Sequence, residues 1–198
     1  MEKLQLVDAC AEKHFRDMSL LHALGWRAAY RDSIPAGFMS REITGDRWTA
    51  VFRKKYEEDI YRGLLLYAGE TPLCCATYGP ARVDTSAGDT ICNFSSPDLA
   101  SWGELVSLYG HPDHWGKGYG SIVLEKVLHR LQAAGYPGCF LYVLQENTRA
   151  RRFYEKHGFI WDGRSLEAKL TPITILTDLR YCKEFLSLHH TEIINDER

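Results

Sequence analysis

A chain of 198 residues, 45% hydrophobic and 25% charged, has the size and composition of one globular domain with a real core. Its formal net charge of −2 provides no basic field to gather nucleic acid or an anionic membrane surface. No apolar run approaches the ~20 residues of a membrane span, and Met1-Glu2-Lys3-Leu4-Gln5 lacks the apolar core of a signal peptide, so the expected location is cytoplasmic.

In chain order, Leu4 and Leu6 alternate with Gln5 and Val7 over residues 2–8, a short first strand. Phe15, Met18, Leu21, Leu24 and Ala28 recur at helical spacing and predict a helix over 10–31. Ile34-Pro35 ends that run, because Pro cannot continue a helix and pushes its predecessor out of the α region. Residues 36–60 read as a second, more polar helical region. The apolar stretch between Gly63 and Gly69 and the stretch Leu73 to Tyr78 flank Gly69-Glu70-Thr71-Pro72, which predicts a hairpin. Residues 80–101 are rich in Gly, Ser, Asp and Pro and read as a long exposed loop. A strand at 102–110, a helix at 119–134 closed by Gly135, a strand at 139–144 and a helix at 147–156 follow. Two more strands fit 159–169 and 173–185, and the polar residues 189–198 form a tail beyond a single domain over 1–188. Such mixing predicts an α/β (α+β) fold with a partly antiparallel sheet.

Cys10, Cys74, Cys75, Cys92, Cys139 and Cys182 form no C-x-x-C pair, so a zinc framework is not indicated. Four of them lie in apolar, strand-like stretches and read as reduced, buried thiols. His111 and His114 flank Pro112-Asp113, with no third residue at metal-ligand spacing.

The chemistry concentrates in His111-Pro-Asp-His-Trp-Gly-Lys-Gly-Tyr-Gly-Ser121, which joins a strand to a helix. Glycines at 116, 118 and 120 let backbone approach a ligand, and the helix behind them offers unpaired N–H groups and a partial positive charge. Together they suit a pyrophosphate, with Lys117 adding a mobile charge. A Walker loop fails here: from Gly110 the second Gly falls on Trp115, and Lys117 precedes Gly118 rather than Ser or Thr. The dinucleotide pattern fails too, because from Gly116 or Gly118 the third Gly falls on Ser121 or Val123.

The strand from Glu104 to Gly110 followed by W-G-K-G-Y-G resembles the GNAT signature Q/R-x-x-G-x-G/A after its fourth strand. Downstream, Asn147-Thr-Arg-Ala-Arg-Arg-Phe-Tyr154-Glu-Lys-His-Gly158-Phe159 is similar to the second signature, N-x-x-A-x-x-F/L-Y-x-x-x-G-F. Trp26 to Tyr30 and Ile34-Pro35 resemble the opening helix of many bacterial members. Trp115 departs from the pattern, standing where the signature has Gln or Arg.

The resemblance implies a splayed, mainly antiparallel sheet of six or seven strands flanked by about four helices. It implies an N-acetyltransferase that uses acetyl-CoA as acyl donor, needs no metal, and passes the acetyl group to a primary amine of a small molecule or peptide. Leu108, Tyr109 and Gly110 would pair with the pantetheine arm; Trp115, Gly116, Lys117, Gly118, Tyr119, Gly120 and Ser121 would hold the pyrophosphate. Asn147 would bond the pantetheine, although Asn also suits a plain helix N-cap. Tyr154 would protonate the leaving thiolate.

Glu104 is similar to the base glutamate of the histone-acetylating branch, and simple alternation sets it on one face with Val106 and Leu108. A base has a clear task, since an amine of pKa ~10.4 is only about one part in 2,500 neutral at pH 7, a cost of roughly 4.6 kcal/mol. Ordered water is the alternative base. Among Arg149, Arg151, Arg152 and Lys156, one could meet the 3′-phosphate, or all could form a solvated face. Trp26, Tyr30, Phe38 and the 80–101 loop are the expected surroundings of the acceptor. A homodimer is compatible with the resemblance, and a non-catalytic acyl-CoA sensor is the alternative function.

Overall fold

The computed structural model describes residues 2–83, 96–171 and 174–185. The tail and residues 84–95 of the expected long loop, Cys92 among them, lie outside these. Strand β1 (Leu4–Asp8) leads into helix α1 (Glu12–Ala29), which turns Phe15, Met18, Leu21 and Trp26 inward. The expected single helical region beyond Pro35 is two helices, α2 (Ala36–Glu42) and α3 (Thr49–Glu57). The break has a cause in α1: Arg27 Nη2 donates to the Ile43 carbonyl at 2.7 Å, and Ser19 Oγ accepts from Trp48 N at 3.0 Å. The connecting turn is thus bonded to a neighbouring helix instead of continuing its own ladder.

Strands β2 (Arg62–Ala68) and β3 (Thr71–Pro80) form the expected hairpin, turning through Gly69 at φ 54°. Next come β4 (Gly103–Gly110), α4 (Tyr119–Ala133), β5 (Gly138–Leu144), α5 (Thr148–Lys156), β6 (Ile160–Thr171) and β7 (Thr174–Glu184). Among the described residues, seven strands make one sheet in the order β1-β2-β3-β4-β5-β7-β6, with five α-helices around it. All neighbours are antiparallel except β4 and β5.

Two features of β4 shape the site. Its register against β3 shifts between Thr77↔Ser107 and Tyr78↔Leu105, leaving Val106 as an extra residue. Such a bulge bends the strand and reverses its alternation. Leu105 and Leu108, of opposite parity, therefore both pack into the core under α4, while Tyr109 packs on the α1 side. The expected grouping of Glu104 with Leu108 is corrected by this bulge: Glu104 shares its face with Ser107 and Tyr109. Second, β4 and β5 pair only at Gly103↔Cys139 and Glu104↔Phe140 and then part. The sheet opens there.

Two apolar layers enclose the sheet. Val123, Leu124, Val127 and Leu131 of α4 cover Cys139, Leu141 and Leu179 on one face. On the other, Met18, Leu21 and Trp26 of α1 meet Leu65, Cys75, Leu144 and Leu176.

Candidate active site

The opening between β4 and β5 continues into a groove of about 580 Å³. Leu108, Tyr109 and Gly110 form one wall, the glycine loop and the start of α4 the floor, and residues 146–150 with Tyr154 the opposite wall. Gly25, Ala28 and Ala29 of α1 close one end. One edge of β4 bonds to β3 up to Gly110, but beyond Glu104 the other edge meets no strand. Backbone N–H and C=O groups on that edge need partners, so an extended ligand fits there as an added strand.

Gly116 and Gly118 have φ of 78° and 83°, the left-handed region that L side chains avoid. A Cβ at either would meet no atom within 4 Å, so backbone conformation and not space selects glycine. Gly118 is the N-cap of α4 and offers no side-chain bond; Ser121 N and Ile122 N donate to its carbonyl at 3.0 and 3.2 Å, and the N–H groups of Tyr119 and Gly120 before them have no backbone partner among the described residues. Lys117 does not line the groove; its Nζ lies 3.2 Å from His114 Nδ1.

Trp115 folds back onto the loop, its Nε1 donating to the Gly110 carbonyl at 2.9 Å. The Arg149 guanidinium lies 3.7 Å over its ring. A cation from α5 thus stands where the resemblance expects a polar side chain from the loop itself. Burial draws the Arg149 pKa down from its ordinary value, which raises the gain from pairing it with an anion.

Asn147 caps α5, its Oδ1 accepting from Ala150 N at 3.1 Å, and it also lines the groove. The cap uses the oxygen and leaves the amide donors available. Ser121 is bonded to His157, whose Nε2 lies 3.0 Å from Ser121 Oγ and whose Nδ1 lies 2.7 Å from the Phe153 carbonyl. A carbonyl can only accept, so Nδ1 carries a proton.

Tyr154 is 7% exposed against Phe153 and Phe159 and presents its phenol to the groove with no hydrogen-bond partner among the described residues. Burial holds its pKa above the ordinary value, so it stays protonated. Cys74 is also in the groove wall, but burial pushes its thiol up to about 12. A thiol so disfavoured as thiolate is no nucleophile.

Glu104 does not reach the groove. It is 1% exposed, and Arg82 holds both oxygens: backbone N to Oε2 at 3.0 Å, Nε to Oε1 at 2.9 Å, and Nη2 to Oε1. Its carboxylate is occupied by a buried ion pair. Trp26 is core, stacked on Tyr30 at 4.6 Å, and Tyr30 and Phe38 pack at the margin of that cluster. Among the described residues no group of three His, Cys, Asp or Glu could hold a metal ion, and no helix is long and apolar enough to cross a membrane.

One residue escaped the sequence reading. Asp178 of β7 is 7% exposed and lies in the apolar frame of Leu144 and Leu166. Burial, with a smaller push from Glu146, raises its pKa to about 7. The available signal was a carboxylate at an inward position of the alternating run Leu176-Thr177-Asp178-Leu179.

A model of the acetyltransferase (GNAT) family matches residues 41–159. A 63-residue stretch is 41% identical to mycothiol acetyltransferase of Beutenbergia cavernae, covering 32% of this chain and only 21% of that protein. PaiA N-acetyltransferase of Thermoplasma acidophilum, solved in complex with coenzyme A, superposes with a TM-score of 0.68 at 16% identity, over 92% of this chain and 99% of its own. YncA of Salmonella typhimurium, a proposed acetyltransferase solved with acetyl-CoA, gives 0.65 at 14% identity, over 96% and 98%. The ribosomal-protein-alanine N-acetyltransferase of Brucella melitensis gives 0.65 at 14%, over 91% and 99%. At these identities the likeness is one of fold.

Proposed function

The chain belongs to the GNAT acetyltransferase family, and from that premise we propose that it transfers the acetyl group of acetyl-CoA to a primary amine by direct attack. The observation that carries this reading is the open β4 edge leading to an uncapped helix N-terminus within one groove. Its length of strand suits an amide-bearing arm and its end suits a pyrophosphate. Bound there, acetyl-CoA would supply an activated thioester.

The chain's residues divide the work. Leu108, Tyr109 and Gly110 offer backbone groups to the arm and polarise the thioester carbonyl. Gly116, Gly118, Tyr119 and Gly120 cradle the phosphates by backbone N–H, with Ser121 beside them in the groove wall and Arg149 on Trp115 as the adjacent cation. Asn147 donates its amide to the arm while capping α5. Tyr154 gives its phenolic proton to the departing sulfur; a buried phenol is a weak acid until that charge develops beside it. Glu104 has a structural part, closing the chain at Arg82 against β4. The high pKa of Cys74 favours direct attack over an acyl-thiol intermediate. A cytoplasmic enzyme acting on a small or peptide amine is consistent with this reading.

The test is radiolabelled acetyl-CoA with a panel of tyramine, spermidine, free lysine and a short peptide with a free N-terminus. Labelled amide is expected from at least one amine. In Tyr154→Phe, kcat should fall about 100-fold with acetyl-CoA affinity unchanged, the scale of a lost proton donor. Binding of acetyl-CoA with no acetylated amine, and no effect of the Tyr154 change, would make the chain an acyl-CoA sensor.

A further inference from the structure

The opening between β4 and β5 has two faces. The α4 and α5 face carries the glycine loop and most of the groove, and Tyr109 with Gly25, Ala28 and Ala29 of α1 carries the groove through to the other face. The other face carries Ser107 and Tyr109 of β4 and, by strand alternation, Tyr142 and Leu144 of β5 and Leu176, Asp178 and Arg180 of β7. A thioester held in the opening is thus reachable from the side away from its own phosphates.

Asp178 stands directly opposite Leu144, the last residue of β5. The neighbouring Thr177 carbonyl accepts from Gln145 N at 2.8 Å, and that turn runs on into Glu146 and Asn147 of the groove wall. Asp178 is therefore fixed by backbone bonds at the splayed end of the sheet.

Its state differs from that of the carboxylates around it. Glu104 is held by Arg82. Asp98 takes Arg180 Nη1 and Nη2 at 2.9 and 2.8 Å, and Asp162 takes Arg180 Nε at 2.7 Å. Asp178, although buried, has neither an ion pair nor a hydrogen bond among the described residues. A carboxylate largely withdrawn from water with no cation beside it is costly, and where it persists it points to a function.

The groups facing it explain its chemistry. β5 presents Leu144 and Tyr142, whose hydroxyl lies 2.8 Å from Ser96 Oγ. β6 presents Leu166 and Ala168. Along β7 lie Leu176 and Arg180, the latter's guanidinium bonded to Asp98 and Asp162. Trp26 and Tyr30 of the α1 side cluster with Leu144 and Leu176. The turn brings Glu146, a like charge. Apolar walls and a like charge disfavour the carboxylate and place its titration near neutrality, at about 7.

Resting on the acetyl-transfer reading above, we infer that Asp178 is the general base, the carboxylate that takes a proton from the acceptor amine at the open end of the sheet. The approaching ammonium gives one N–H proton to an Asp178 oxygen. The freed nitrogen lone pair forms the N–C bond to the thioester carbonyl carbon, and the C–S bond breaks. The sulfur takes the Tyr154 proton, the second amine proton leaves to water, and Tyr154 and Asp178 are restored by solvent exchange. An anionic acceptor would be repelled by Asp178 and Glu146, so the substrate class is a cationic amine with an apolar flank.

The experiment measures kcat/KM against pH for whichever amine of the panel the wild-type chain acetylates, alongside calorimetric affinity for acetyl-CoA. Wild type should show a rising limb near pH 7. Asp178→Asn should lose 100- to 10,000-fold in kcat/KM and lose that limb, with acetyl-CoA affinity within twofold of wild type. Asp178→Ala should regain activity with added formate, which a merely structural carboxylate would not allow. Retention of the limb, activity within threefold of wild type, or absence of formate rescue would overturn the inference. A wild-type chain that binds no acetyl-CoA, or acetylates no amine, would instead overturn the acetyl-transfer reading, and the inference would fall with it.

Discussion

His22 shows how much one buried ring can set. It projects from α1 into Trp48, Phe52 and Tyr109, with ring centroids 5.3, 4.9 and 4.4 Å away. Its Nε2 lies 3.0 Å from Ser107 Oγ, and its Nδ1 is buried without a partner among the described residues. Burial, aided by Lys55, lowers its pKa to about 3, so the folded chain holds it neutral. The unfolded chain binds the proton near pH 6.5, so between pH 6.5 and 3 it takes up more protons and stability falls as pH falls. Thermal unfolding across that range should show the slope in wild type and a flatter one in His22→Gln; equal slopes would refute the assignment. Trp115 and Arg149 allow a second prediction, since their stacking puts a cation beside the loop position where the family signature has Gln or Arg. Trp115→Ala and Arg149→Ala should each weaken acetyl-CoA binding about 5- to 10-fold, the scale of a partly desolvated cation–π pair. The double variant should lose less than the product of the two; full additivity would show that they act separately. In the sequence Trp115 was visible as a departure from a motif, but its partner was not, because Arg149 lies 34 positions downstream and meets it only through the fold.

The elements were legible where apolar spacing is repetitive. The α1 stripe, the β2–β3 hairpin and the α4 face follow from local pattern and turn residues, and the structure has them within a few positions. The glycine loop was legible because its two left-handed residues tolerate little else. What local pattern could not hold is set by neighbours. The gap between α2 and α3 depends on Arg27 and Ser19 of another helix. The β4 bulge depends on register with β3, and it moved Glu104 from the face shared with Leu108 to the face shared with Ser107. Asp178 was missed for the same reason, since its isolation follows from Leu144 and Leu166 on two other strands.

At the scale of the molecule, the sheet parts between its two parallel strands, and under the proposed acetyl transfer the donor and the acceptor would meet across that opening. The glycine loop and Glu146 line the groove on one side, and Asp178 stands on the other face of the sheet. Under the proposed function the open N-terminus of α4 binds the donor's phosphates, and substitution of Gly118 probes that contact. A Cβ there meets no atom within 4 Å, so Gly118→Glu adds an anion and a strained φ of 83° without a steric clash. The expected backbone cost, roughly 1–2 kcal/mol, leaves the fold intact. Calorimetric titration with acetyl-CoA should show saturable binding to wild type, retained largely in Gly118→Ala and reduced at least 100-fold in Gly118→Glu. Equal affinity for acetyl-CoA in wild type and Gly118→Glu, with both chains folded, would contradict the account.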